Sequence, residues 1–170
     1  MKQNYSLYIT KLLAIFQIVF VICYFVYFLY IGLQWGFGER MKLLLFSDSV
    51  YIFLFVSTIG LLTFRRWGWW LSIILYAKLL LARAVTVIAT FVNIRFGFIA
   101  ETLHIYLFLS DLLLILLFAV IIVFFTRPAT KKLYGISLSG VRLFFLAGTS
   151  AVIVYFIYFI VMLLMVNSFL

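Results

Sequence analysis

Residue types that build most disulfide, metal and haem sites are nearly missing from this chain of 170 residues. It has one cysteine, Cys23, and one histidine, His104. An internal disulfide needs two cysteines, and a zinc site or a bis-histidine haem site needs more Cys and His ligands than these. The sequence therefore predicts no disulfide, no metal site and no cofactor.

Charged residues are also scarce. They make up 10% of the chain, whereas about a quarter is usual for a soluble domain. Hydrophobic residues make up 69%, and the mean hydropathy is +1.34. No soluble fold of this length could bury so much apolar surface, so we expect lipid to surround most of the chain. The net charge of +9 comes from short basic clusters between apolar runs, which argues for a membrane partner and against nucleic acid.

Catalytic motifs are missing as well. The sequence contains no G-x-S-x-G, no H-E-x-x-H and no P-loop. His104 could form a Ser–His pair, but no serine lies in the elbow that such a nucleophile requires. The sequence predicts a protein that is not an enzyme.

What the chain does have is five apolar runs, each long enough to cross a bilayer core of about 30 Å as a helix. The runs are apolar on every face, unlike the alternating strands of about ten residues in a membrane barrel. The prediction is an all-α integral membrane protein, with residues 1–170 forming a single transmembrane domain. The predicted spans are 12–33, 43–64, 67–93, 103–126 and 143–166.

The positive charges fall unequally on the two sides of these spans. Eight lie on the side of the N-terminus and three on the other, and the richer side is expected to be cytoplasmic. We therefore expect a multi-pass protein of the cell membrane, in a bacterial cytoplasmic membrane, with its N-terminus cytoplasmic and its C-terminus outside. The eight residues are Lys2, Lys11, Arg65, Arg66, Arg127, Lys131, Lys132 and Arg142.

Four ionisable residues fall inside predicted spans, namely Asp48, Lys78, Arg83 and Asp111. Each costs at least about 2.5–3.5 kcal/mol at mid-helix, so an unpaired charge without a role is not expected. At 1.5 Å of rise per residue, both aspartates and Arg83 lie about 24–25 Å from the cytoplasmic ends of their helices. Lys78 lies about 16 Å in.

The shared depth predicts an intramembrane polar cluster in which Arg83 lies between Asp48 and Asp111. His104 shares the helical face of Asp111, seven residues away. Lys78 lies about 140° around the helix from Arg83, so we expect it either to face another neighbour, such as Gln17 or Ser150, or to extend toward an interface. The cluster has two interpretations, a structural clamp between helices or a path for an ion, a proton or a small polar solute.

Two further sets of residues are candidates for contacts. Ala147 and Ala151 form a small-xxx-small pair that allows close helix packing, within the chain or with a partner. Tyr155 and Tyr158 follow on the same face. The connection between the last two spans could bind lipid headgroups or a cytoplasmic partner, or it could only enforce topology; its basic residues are Arg127, Lys131, Lys132 and Arg142.

These features leave three function classes. The leading hypothesis is a non-enzymatic accessory, regulatory or immunity-type factor that acts through helix–helix contacts, with the lipid bilayer and another membrane protein or a second copy as partners. The alternative is a small transporter or channel that uses the buried Asp48, Arg83 and Asp111. A lipid-modifying enzyme is the third class, and it lacks a recognisable catalytic group.

Overall fold

The computed structural model describes residues 2–96 and 105–168. All regular structure in these two ranges is helical. In chain order the helices are α1 (Lys2–Trp35), α2 (Glu39–Ser47), α3 (Val50–Leu62), α4 (Arg66–Arg95), α5 (Ile105–Thr126), α6 (Pro128–Leu133) and α7 (Gly140–Ser168).

Five helical segments in the described ranges are long and apolar enough to span a membrane: Tyr5–Trp35, Met41–Leu62, Arg66–Arg95, Phe108–Thr126 and Gly140–Asn167. Most of their large apolar side chains lie on the outer surface of the molecule. Water opposes such extensive exposure, whereas hydrocarbon does not. The predicted all-helical architecture with five membrane-length helices is confirmed, and it is compatible with a membrane protein.

The second of these segments, Met41–Leu62, is interrupted about a third of the way along. Asp48 and Ser49 separate α2 from α3. The Ser49 amide donates to the Phe46 carbonyl at 3.1 Å, and the Tyr51 amide donates to the Asp48 carbonyl at 2.9 Å. These bonds span three residues instead of four, as in a tight 3₁₀ turn. The continuous helix predicted over 43–64 is therefore wrong at this point. Asp and Ser favour such turns because their side chains compete for backbone bonds.

Helix α4 lies at the centre of the molecule and packs against α3, α5 and α7. Its buried residues Trp69, Ile73 and Tyr76 recur at the spacing of a helical face. Helix α1 packs against α3 and the short α6, and α2 packs against α7. The core therefore lies around α4, and every other membrane-length segment turns much of its surface outward.

Two glycines bring α3 and α4 into backbone contact. A Cβ added at Gly60 would lie 2.5 Å from the Cα of Gly68, and one added at Gly68 would lie 2.3 Å from the carbonyl carbon of Gly60. No larger residue fits at this crossing, which resembles the small-residue contacts of membrane helices. The predicted spans 43–64 and 67–93 leave only residues 65–66 between them, and the crossing at Gly60 and Gly68 is a closer approach than this short connection alone requires.

At the end of the bundle that carries α6, two buried side chains donate hydrogen bonds to carbonyls at helix ends. The Trp69 Nε1–H donates to the Phe125 carbonyl at 3.2 Å, and the Tyr134 hydroxyl donates to the Leu61 carbonyl at 3.1 Å. Both carbonyls lie in the last turn of a helix, where intrahelical donors run out. Burial raises the pKa of Tyr134, so its hydroxyl stays protonated and remains a donor.

We predict that Gly60→Ala destabilises the protein by about 1–3 kcal/mol, the usual cost of overpacking. The new methyl group has no room because Gly68 lies against it. Gly148→Ala is the matched control, since Gly148 is also helical but has open space around it. Thermal unfolding in mild detergent, followed by tryptophan fluorescence, measures both. Equal midpoints for the two variants would contradict the crossing.

Candidate functional site

Arg83 on α4 and Asp111 on α5 form an ion pair. The Arg83 Nη1 donates to the Asp111 Oδ1 at 2.9 Å. The arginine side chain is 41% exposed and the aspartate side chain 17% exposed at the molecular surface. The contact between these two predicted partners is therefore present, and the guanidinium remains partly open to the surroundings.

Asp48 does not complete the predicted three-residue clamp. Within residues 2–96 and 105–168 it makes no ion pair with Arg83. Its carboxylate accepts a hydrogen bond from the Tyr24 hydroxyl on α1. Tyr51 packs on the Tyr24 ring and interacts electrostatically with both Asp48 and Arg83. The predicted ion pair between Asp48 and Arg83 is therefore absent from the described residues.

Lys78 faces α7. Its Nζ lies 4.3 Å from the ring centroid of Tyr158, a cation–π distance, and it interacts electrostatically with Asp48. The Tyr158 hydroxyl is in turn hydrogen-bonded to the Ser49 hydroxyl at 2.8 Å. Lys78 therefore contacts the ring of Tyr158 instead of the predicted neighbours Gln17 or Ser150. Through the Tyr158 hydroxyl, this contact is linked to Ser49 at the interruption between α2 and α3.

These groups converge from every membrane-length segment of the described chain. With 1.5 Å of rise per residue, the charged groups lie about 18–26 Å from the α6 end of their helices. The two acids and two bases cancel in formal charge. The set combines hydroxyl, carboxylate and cationic groups at a backbone interruption, an arrangement that can bind small polar species. We name it the central polar cluster, and its eight residues are Tyr24, Asp48, Ser49, Tyr51, Lys78, Arg83, Asp111 and Tyr158.

His104, the remaining predicted member, lies outside the described residues. Within them, no group of three or more His, Cys, Asp or Glu side chains comes together in a way that could hold a metal ion.

The predicted packing face on α7 is used inside the molecule. Ala147 and Ala151 are buried, at 5% and 3% exposure, and Ala147 belongs to the main hydrophobic core. Tyr158 lies in the central polar cluster, and Tyr155 lines a groove of about 330 Å³ beside Lys78. The two alanines of this face therefore pack within the chain, whereas Tyr155 borders an open groove.

Sequence reasoning missed a second polar network, which is centred on Gln17. Its Nε2 donates to the Leu54 carbonyl at 2.6 Å and to the Ser57 hydroxyl at 3.0 Å. Its Oε1 accepts from the Tyr76 hydroxyl at 3.1 Å, and Ser72 donates to Ser57 at 3.1 Å. The sequence does show four polar residues inside apolar runs, namely Gln17, Ser57, Ser72 and Tyr76. Their bonds are directed to one another, so we assign this network a structural role.

The predicted basic residues near α6 have different environments. Lys131 Nζ donates to the Leu138 carbonyl at 2.9 Å and so stabilises its own loop. Arg127, Lys132 and Arg142 are exposed. Arg127 immediately precedes Pro128, the first residue of α6. Lys131 and Lys132 line one groove together with Leu138.

Neither protein-family models, nor curated proteins, nor solved structures match this chain. Function is therefore argued from the geometry and chemistry of the site.

We predict that Asp111→Asn lowers stability by about 1 kcal/mol, near the usual strength of a polar contact between membrane helices. The variant leaves the Arg83 guanidinium without its anionic partner. Adding Arg83→Gln removes the orphaned charge, so the double variant should regain stability. Thermal unfolding and the amount of protein in the membrane fraction measure both effects.

Glu39→Gln is the control for this series, because Glu39 is an exposed acid at the start of α2. Its stability should equal that of the unmodified chain. A double variant no more stable than Asp111→Asn alone would show that the pair is not the relevant contact.

Proposed function

We propose that this chain is a non-enzymatic, multi-pass protein of the cell membrane, with its N-terminus in the cytoplasm, and that its central polar cluster binds an ion or a small polar solute in transit. The observation that supports the proposal is the interruption at Asp48 and Ser49, which lies in the cluster itself. Transporters bind their solutes and coupling ions where membrane helices are interrupted, and this interruption lies about 21 Å from the Leu62 end of its segment.

A purely structural clamp explains less of the arrangement. Such a clamp needs the Arg83–Asp111 pair and nothing more. It does not account for a second acid, a second cation and an interrupted helix at the same level. In hydrocarbon, both an isolated charge and a disrupted helix are costly. Their coincidence therefore favours a role in binding.

Asp48 is the residue that we expect to meet the solute. Asp111 is already committed to Arg83, whereas Asp48 is held by a neutral phenol and the more distant Lys78. A cation or proton that reaches Asp48 would compete with Lys78 for the carboxylate. The four charged groups of the cluster cancel in formal charge, so a bound cation or proton gives the cluster a net positive charge. We expect the backbone to change conformation at the turn between α2 and α3, where the helix is already interrupted.

The test uses the purified full chain in liposomes that contain a pH-sensitive dye, with proton flux driven by a potassium diffusion potential. Sodium and potassium fluxes are measured in parallel. Asp48→Asn should reduce the active flux about tenfold or more, as for the loss of about 1.4 kcal/mol of interaction. Glu39→Gln, an exposed acid on the same segment, should leave it unchanged. Wild-type liposomes no leakier than empty ones to all three ions, or an unchanged flux in Asp48→Asn, would overturn the proposal.

The second candidate is an accessory factor that acts through helix contacts, and the outer surface of α7 favours it. This helix is charge-free beyond Arg142, and only 6% of its most apolar stretch is buried within the chain. A photo-crosslinker at exposed Ile157 should then give one discrete protein adduct in native membranes, whereas one at buried Ala151 should not. Labelled lipid alone at Ile157 would exclude this candidate.

A further inference from the structure

A groove of about 720 Å³ opens where the start of α1 meets the junction of α5 and α6. Tyr5 forms one wall, and Phe124, Pro128 and Ala129 form the other. These walls are mainly apolar, and Arg127 is the charged residue among the lining side chains. The groove lies on the opposite side of the Gln17 network from the central polar cluster, so it is a separate feature of the molecule.

The groove is held in shape by a buried contact between α1 and α6. The hydroxyls of Ser6 and Thr130 are hydrogen-bonded at 3.0 Å, and both residues are buried. Thr10 donates to the Ser6 carbonyl at 2.8 Å, one turn below. The hydroxyls of Ser6 and Thr130 at the floor of the groove are therefore hydrogen-bonded to each other. The surfaces that remain available to a ligand are the apolar walls and the Arg127 guanidinium.

The positive charge at this end of the bundle favours an anionic ligand. Among the described residues, Glu39 starts α2, and Asp48 and Asp111 lie in the central polar cluster. None of these three acids pairs with Arg127, which makes no ion pair within the described ranges. The charge of Arg127 is therefore not offset by an acid in the part of the chain that the structure describes.

We propose that this groove binds a phospholipid with an anionic headgroup, whose phosphate pairs with Arg127 and whose acyl chain lies along Phe124. The apolar walls favour a lipid over a soluble anion, to which one arginine offers a poor site. Beyond Phe124 the outer face of α5 continues with exposed Val120 and Val123, which give an acyl chain apolar surface to follow. This inference does not depend on solute binding at the central polar cluster.

The experiment titrates the detergent-purified full chain with dioleoyl phosphatidylglycerol and counts bound lipid by native mass spectrometry. Arg127→Gln should weaken apparent affinity about fivefold, the effect expected for one basic residue near an anionic headgroup. Arg142→Gln is the matched control, because it removes the same charge from the same end of the bundle but does not line the groove. Its affinity should stay within a factor of about two of the wild type.

A second variant tests the groove independently, in case Arg127→Gln does not fold correctly. Ala129→Leu keeps every charge and fills the groove, so it should weaken binding by a similar factor. If Arg127→Gln and Arg142→Gln lost affinity for the lipid equally, or if Ala129→Leu lost none, the lipid would be attracted to the basic surface in general and not to the groove. Either result would overturn the proposal. Equal binding of dioleoyl phosphatidylcholine would remove the anionic specificity. Competition by inorganic phosphate at the same concentration as the lipid would show a site for a free anion instead.

Discussion

The structure depends on one constraint: polar groups placed inside apolar helices must bind one another, because hydrocarbon offers them no partner. Within residues 2–96 and 105–168, no buried side-chain nitrogen or oxygen lacks a hydrogen-bond partner. Such groups cost several kcal/mol each when left unsatisfied in a lipid environment. Apolar contacts are less selective, since lipid tails are as apolar as the side chains that they would replace. The few polar residues therefore decide how the helices meet.

Two polar layers meet this constraint in different ways. The Gln17 network is closed, with a central amide whose donor and acceptor both bind within the chain. The central polar cluster is more open, because Arg83 remains partly exposed although it is paired. It also contains the interrupted backbone at Asp48 and Ser49. A closed layer fixes the packing, whereas an open layer beside an adjustable turn leaves room for a ligand.

The groove near α6 combines two kinds of surface. Here the apolar wall at Phe124 and the guanidinium of Arg127 lie side by side. That combination suits amphipathic molecules, in the way that arginine side chains near helix ends suit a membrane interface. Lys131 shows that the basic residues near α6 are not equivalent, since it bonds its own loop.

The order of charges along the chain was enough to anticipate that Arg83 meets Asp111, because consecutive helices place residues of equal depth together. It was not enough for Asp48, Lys78 or Gln17. Their partners Tyr24, Tyr158 and Tyr76 are aromatic residues among many others. Selecting them requires the rotation of each helix about its axis, and a helix that is apolar on all faces gives no periodic signal for that rotation.

The sequence by itself determined the all-helical class, the number of long apolar helices and the need for charges to find partners, because these depend on composition and on the length of apolar runs. Only the tertiary structure decided the interruption at Asp48 and Ser49, the crossing at Gly60 and Gly68, and the groove beside Arg127. The crossing and the groove are contacts between different helices, and the interruption is a turn whose Asp48 and Ser49 side chains bond to Tyr24 and Tyr158 on other helices. Their energies are set by distances of a few ångströms, which no local pattern of residues encodes.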